Sequence, residues 1–299
     1  MREWLKMAPK SCDYLLKDDA FYFVKGYWNT SEEAQVTKVF VEARAGRYNW
    51  LTGKFYRKVV RDEIIEISDW DMVFDPMKNY ENMKEKIPEA WKRFGEILEG
   101  YVGKSNVGIT GSWLIGFRDG KDVDFVVYGK KARDLLHSKF DKFLEETGAK
   151  KIDEEEFNHF ARKYSLFHNP KLNNYRVLAK RRWSCVKFFD GEHWVHTTIR
   201  FVYSKPEFPR NPYKGRSAGE IKVAGYAKEA WMSDFDPRMF YLEGSREYLV
   251  VVPWWSHQSC VKEGDFVEVA GELVVGGNYL SPRIVVKDHE RHGVMVHEV

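Results

Sequence analysis

Two short apolar runs, Val107–Thr110 (VGIT) and Val123–Tyr128 (VDFVVY), constrain this chain more than any other feature. Between them lies GSWLIGFRDGKD, a stretch that core packing alone does not explain. Runs rich in β-branched and aromatic residues predict strands, and a glycine turn between them predicts neighbours in one sheet. Successive side chains on a strand point to opposite faces. Asp122 and Asp124 therefore share one face, while Val123 turns to the core. An apolar strand that begins with two carboxylates on one side presents them rather than burying them.

The residue types suit phosphate and a hard cation. A Gly111-Ser112 turn into a short helix exposes backbone N–H groups, with no side chain in the way of a polyphosphate, and the serine hydroxyl adds a donor. Two carboxylates at i and i+2 can hold Mg²⁺ or Mn²⁺ together with substrate phosphates. Two such ions can clamp the attacking and leaving oxygens of an in-line displacement.

The rest of the chain sets this stretch in an α+β context. Residues 14–67 read as β-rich, with FYFVKGYW and TKVFVEA as strands and AGRYNWLTGK as a turn. Met83, Ile87, Trp91, Phe94 and Leu98 recur at helical spacing, predicting helix over 79–99 with a kink or fresh start at Pro88. An amphipathic helix is expected over Lys130–Thr147, closed by Gly148, and another over Glu154–Tyr164. SCVKFFDGEHWVHTTIRFVY reads as a hairpin turning at Asp190-Gly191. Three of the ten prolines fall within residues 205–216, which predicts a boundary there. Beyond it come short strands with glycine turns, including EGDFVEVAGELVV, a pattern that predicts a small barrel. The expected division is a β-rich N-terminal extension (1–78), a mixed-sheet core with flanking helices (79–210) and a C-terminal small β-barrel (211–299).

At Gly111-Ser112, Gly116 and Asp122-x-Asp124 the sequence resembles the polymerase-β-type nucleotidyltransferase superfamily, over roughly residues 79–203. More softly, the whole chain resembles an archaeal family of predicted nucleotidyltransferases with an OB-like C-terminal half. The resemblance implies a nucleotidyltransferase-like fold that moves a nucleotidyl group from an NTP to a hydroxyl acceptor. Gly111, Ser112 and Gly116 would hold the nucleotide. Asp122 and Asp124 would be the catalytic metal ligands for Mg²⁺ or Mn²⁺. The superfamily usually adds a third carboxylate from a neighbouring strand, here within His193–Tyr203. That strand offers Thr198 or Arg200 instead, with Asp190 and Glu192 only at its turn. A third acid beside Asp122 and Asp124 would point to catalysis. Arg200 paired with Asp124 would point to a protein that kept the fold, lost the chemistry and binds nucleic acid or a protein.

Charge separates further possibilities only weakly. The 48 basic and 45 acidic side chains give a net +3, so a nucleic-acid binder would need its cations clustered. Lys180, Arg181 and Arg182, followed by Trp183, are the expected cluster. Cys12, Cys185 and Cys260 form no C-x-x-C pair, which argues against a zinc site or a disulfide framework. His193/His196 and the tail set His289, His292 and His297 read as ordinary sheet and tail residues rather than metal ligands. Without a long apolar segment the chain is expected to be cytoplasmic, with no membrane contact. Glutamine occurs only at Gln35 and Gln258 amid abundant Lys, Glu and Arg, a thermophilic lean.

Overall fold

The computed structural model describes residues 8–59, 64–118, 122–165, 169–254, 257–288 and 290–297. It is a mixed α+β chain in two compact units, one of residues 1–150 with 185–208, the other of residues 151–184 with 209–299. The segments expected from the sequence follow the chain; the compact units interleave along it.

The first unit opens with an antiparallel sheet. Its strands are β1 (Tyr14–Lys17), β2 (Ala20–Val24), β3 (Glu33–Asn49), β4 (Lys54–Lys58), β5 (Ile64–Ser68) and β6 (Met72–Phe74), in the order β4-β3-β2-β1-β6 with β5 on β3. Asp18 and Asp19 both have positive φ, the geometry a two-residue hairpin demands, and they set Lys17 opposite Ala20. Leu15, Tyr22, Val24, Val36 and Trp70 form a core under this sheet.

Two helices follow, α1 (Pro76–Lys84) and α2 (Glu89–Val102). The predicted break at Pro88 is the N-cap of α2. Asp75 caps α1 by accepting from the backbone N–H groups of Met77 (2.9 Å) and Lys78 (3.2 Å), with Pro76 in the first turn.

The second sheet joins β7 (Val107–Thr110), β8 (Asp124–Tyr128), β9 (Lys150–Lys151), β10 (Cys185–Phe189) and β11 (Trp194–Val202) in the order β7-β8-β11-β10-β9. Between β7 and β8 lies α3 (Gly111–Leu114). β8 and β11 are parallel, with Ile199 opposite Phe125. One face of this sheet packs on α2: Phe94 lies 5.3 Å from Phe125 and 5.1 Å from Phe188 between ring centroids. Each fully buried ring of this kind contributes roughly 1.5–3 kcal/mol. The helix expected over Lys130–Thr147 is two, α4 (Lys130–Ser138) and α5 (Phe140–Thr147), broken at Lys139; Gly148 ends α5 with left-handed backbone as expected.

The second unit begins with α6 (Glu154–Ser165) and α7 (Tyr175–Arg181). After residue 209 it adds β12 (Arg216–Lys228), β13 (Arg238–Glu243), β14 (Glu247–Val252), β15 (Phe266–Val275), β16 (Arg283–Val285) and β17 (Gly293–His297). The order β12-β13-β14-β16-β15, with β15 also pairing β12, closes five strands on themselves, and β17 adds to β15. Only the β14–β16 pair in this ring is parallel. Tyr175, Val177 and Leu178 of α7 share a core with Val250, Val267, Val269 and Ile284. Arg283 is fully buried and donates to the carbonyls of Pro212 (3.0 Å), Gly276 (2.6 Å) and Lys214 (2.8 Å). These bonds fasten the proline-rich segment to the strand ring. No helix among the described residues is long and apolar enough to cross a membrane.

Candidate functional site

The turn between β7 and β8 sets a residue without a side chain beside a carboxylate. Thr110 ends β7 opposite Asp124, the first residue of β8. Gly111 then takes φ +74, where residues with a Cβ are strained. A Cβ there would lie 3.3 Å from Asp124 Oδ2. Glycine therefore does two things at once: it makes the turn, and it keeps a side chain from crowding the carboxylate on that side. Ser112, half-buried, starts the short helix, and its hydroxyl makes no hydrogen bond among the described residues.

Gly116 serves another neighbour. Its carbonyl accepts from the Trp50 backbone N–H (3.0 Å), and its missing Cβ makes room for Leu51, whose Cγ would lie 2.6 Å away. Asn49 donates to the Ile115 carbonyl at 2.6 Å. The β3–β4 hairpin tip, residues 49–53, is thus docked on the loop that leads to the acids. Phe117, fully buried against Phe21, Phe40 and Tyr56, anchors that loop from below. The N-terminal sheet is part of the site's scaffold, which sequence reading missed. AGRYNWLTGK reads as a turn, and only a neighbour distant in the chain reveals what the turn rests on.

Asp124 is mostly enclosed. Its Oδ1 accepts from the Thr198 backbone N–H (3.3 Å), and its Oδ2 faces the Arg200 guanidinium at 3.5 Å. Arg200 also stacks over Phe23, 5.5 Å from the ring centroid. Tyr14 is buried close by, and burial pushes its phenol well above the usual range, with Arg200 opposing and Asp124 adding. Asp122 is exposed as a residue. Desolvation by the surrounding chain, and next the like charge of Asp124, nevertheless raise its carboxyl above the usual range, while Arg47 and Lys58 oppose.

The five signature residues do not all meet at one point. Gly111, Ser112, Asp122 and Asp124 lie on the turn and the strand it feeds, whereas Gly116 is taken up by the hairpin. Among the described residues no third His, Cys, Asp or Glu joins the pair in a metal-binding group. Asp190 is spent closing the β10–β11 turn, accepting from the N–H groups of Glu192 (2.9 Å) and His193 (2.8 Å). Arg200 stands where a third carboxylate was sought. The donor set that remains is one carboxylate at the start of β8, Asp124, and one two residues before it, Asp122.

The basic run expected to meet nucleic acid is not an open patch. Lys180 pairs with Glu154 at 3.4 Å. Arg181 forms a close ion pair with Asp265, and Arg182 is buried. Lys180 and Arg181 are thus met by carboxylates distant in the chain within their own unit. Trp254 is likewise core, while Trp255 and His289 lie outside the described residues. His292 and His297 contact Glu220 and Glu268.

Compared with known proteins, the chain matches no family model, no curated sequence and no solved structure.

Proposed function

We propose that this chain is a nucleotidyltransferase-like protein that takes an NTP with Mg²⁺ at the Gly111-Ser112 turn and moves a nucleotidyl group to a hydroxyl acceptor. The observation that carries this reading is the Gly111–Asp124 approach: the position on the turn without a side chain is the one where a side chain would cover the carboxylate. Ser112 and the turn amides would hold the phosphates. Asp122 and Asp124 would hold the cation, which supplies charge neutralisation of the transferring phosphate. Arg200 is placed to exchange Asp124 for a phosphate oxygen once nucleotide is bound.

The Arg200–Asp124 ion pair favours the second reading, in which the fold has lost the chemistry and binds nucleic acid or a protein. A guanidinium already satisfies the carboxylate that a metal would need. We read the five-strand ring of the second unit as OB-like on its strand order and its single parallel pair; fold alone assigns it no activity.

Calorimetric titration of each NTP with Mg²⁺ or Mn²⁺, into the wild type and an Asp122→Ala/Asp124→Ala double variant, tests the site. Metal-dependent binding that the double variant loses is the expected result. Absence of binding by the wild type overturns both the site and the transfer reading. Incubation with α-labelled NTP and a hydroxyl-bearing acceptor then separates the two readings, since only transfer moves label onto the acceptor.

A further inference from the structure

The β3–β4 hairpin carries a surface that neither reading of the acidic corner uses. Four large apolar side chains within residues 48–55 are exposed, Tyr48, Trp50, Leu51 and Phe55; Trp50 leaves 60% of its surface in solvent and Phe55 44%. Tyr48 and Phe55 are cross-strand partners with ring centroids 5.3 Å apart, and Tyr48 meets Trp50 edge-on at 5.3 Å. The Arg118 guanidinium lies over the Trp50 ring at 5.5 Å. Cations surround the rings. Arg44, Arg57, Lys58 and Arg118 are all exposed. Among the described residues no carboxylate pairs with Arg44, Arg57 or Arg118, whereas Lys54 is held by Asp19 (2.6 Å) and Glu42 (2.9 Å). The hairpin tip is bonded through Trp50 to Gly116, on the loop that leads from Gly111 to Asp122, so the tip borders the acidic corner.

Rings left in water at the tip of a hairpin are costly unless something stacks on them. A protein partner would meet the same rings, but arginines that no carboxylate among the described residues pairs with call for an anion with flat faces. Single-stranded nucleic acid is both: its bases stack on aromatic rings and its backbone follows cations.

We infer that the hairpin face formed by Tyr48, Trp50, Phe55, Arg57 and Arg118 binds single-stranded nucleic acid, stacking bases beside the Gly111–Asp124 corner. This deepens the transfer reading and rests on it only in treating the bound strand as the acceptor; binding itself does not require turnover.

Fluorescence anisotropy with labelled oligothymidylate, oligouridylate and a duplex control tests it in the full chain. At least one single strand should bind, and more tightly than the duplex; the two oligomers tell DNA from RNA. Trp50→Ala/Phe55→Ala should weaken binding roughly tenfold or more. Arg57→Glu should flatten the salt dependence, by about 0.7 in log–log slope for each phosphate no longer neutralised. Trp194→Ala, at the other exposed aromatic with lysines over its ring, should bind as the wild type does. Circular dichroism melts confirm that each variant is folded. Unchanged affinity in the folded double variant, or an equal loss in Trp194→Ala, overturns the inference. So does wild-type self-association that Trp50→Ala abolishes, in the absence of strand binding. NTP titration of the same wild-type sample keeps the two proposals apart: strand binding without NTP binding leaves this surface standing, and the converse leaves only the corner.

Discussion

Two segments of this chain combine arginines with aromatic rings, Lys180–Trp183 and the hairpin at 44–58, and the structure uses them in opposite ways. In the first, Arg181 is spent on the half-buried Asp265 and Arg182 is buried, while Lys180 pairs with Glu154 at the surface. In the second, Tyr48, Trp50 and Phe55 and two of the three arginines, Arg44 and Arg57, face water. The contiguous run looked the better nucleic-acid footprint because its cations are adjacent in sequence. Adjacency along a short helix spreads side chains around its axis, whereas a hairpin gathers alternate residues from two strands onto one face.

Removing charges from each segment tests this contrast, and the largest effect belongs to the buried one. Arg181→Ala leaves Asp265 enclosed without its partner and should cost about 3–5 kcal/mol in a denaturant melt. Gly116→Ala, which places a methyl against Leu51 in a left-handed backbone, should cost about 2 kcal/mol and loosen the hairpin tip, read as faster amide exchange at Trp50.

A buried acid extends the contrast to pH. Lys10 bridges Asp13 (3.6 Å) and Asp75 (2.7 Å), and burial pushes the Asp13 carboxyl up to about 7, with Lys10 opposing and Asp75 adding. The folded chain therefore holds this proton more tightly than the unfolded one. The stability this confers is full in acid below the ordinary carboxylate range and is lost as pH rises toward 7. Asp13→Asn should flatten that decline in a series of melts between pH 4 and 8. The smallest effect belongs to the exposed segment: Arg57→Ala should change stability by less than about 0.5 kcal/mol. A large loss there would mean that the hairpin's charges are structural too, and the contrast would fail.

What could be read in the sequence was what local pattern controls. Strands β7 and β8, the break at Pro88, the Asp190-Gly191 turn and the cap at Gly148 all follow from residues within a few positions of one another. So does the approach of Gly111 to Asp124, the first residue of the next strand. Three things were not local. Lys139 splits one amphipathic helix into two without any glycine or proline to mark it. The seven-residue α7 reads as a charge run, because its apolar face is only Tyr175, Val177 and Leu178, and the strands that cover it come more than sixty residues later. Gly116 looked like a phosphate-loop glycine, but the residue that needs its missing Cβ is Leu51, in a different sheet.

The interleaving of the two units has a consequence for a chain still on the ribosome. Asp124 and Arg200 are 76 residues apart, and the segment between them includes two helices that belong with the later strands. At roughly 5–20 residues per second the acid emerges several seconds before its guanidinium. During that interval β8 lacks its parallel neighbour, and α7 waits for a barrel not yet made. Neither half can mature before the other has begun, so a single cut in the gene yields no piece that is one whole unit and nothing else.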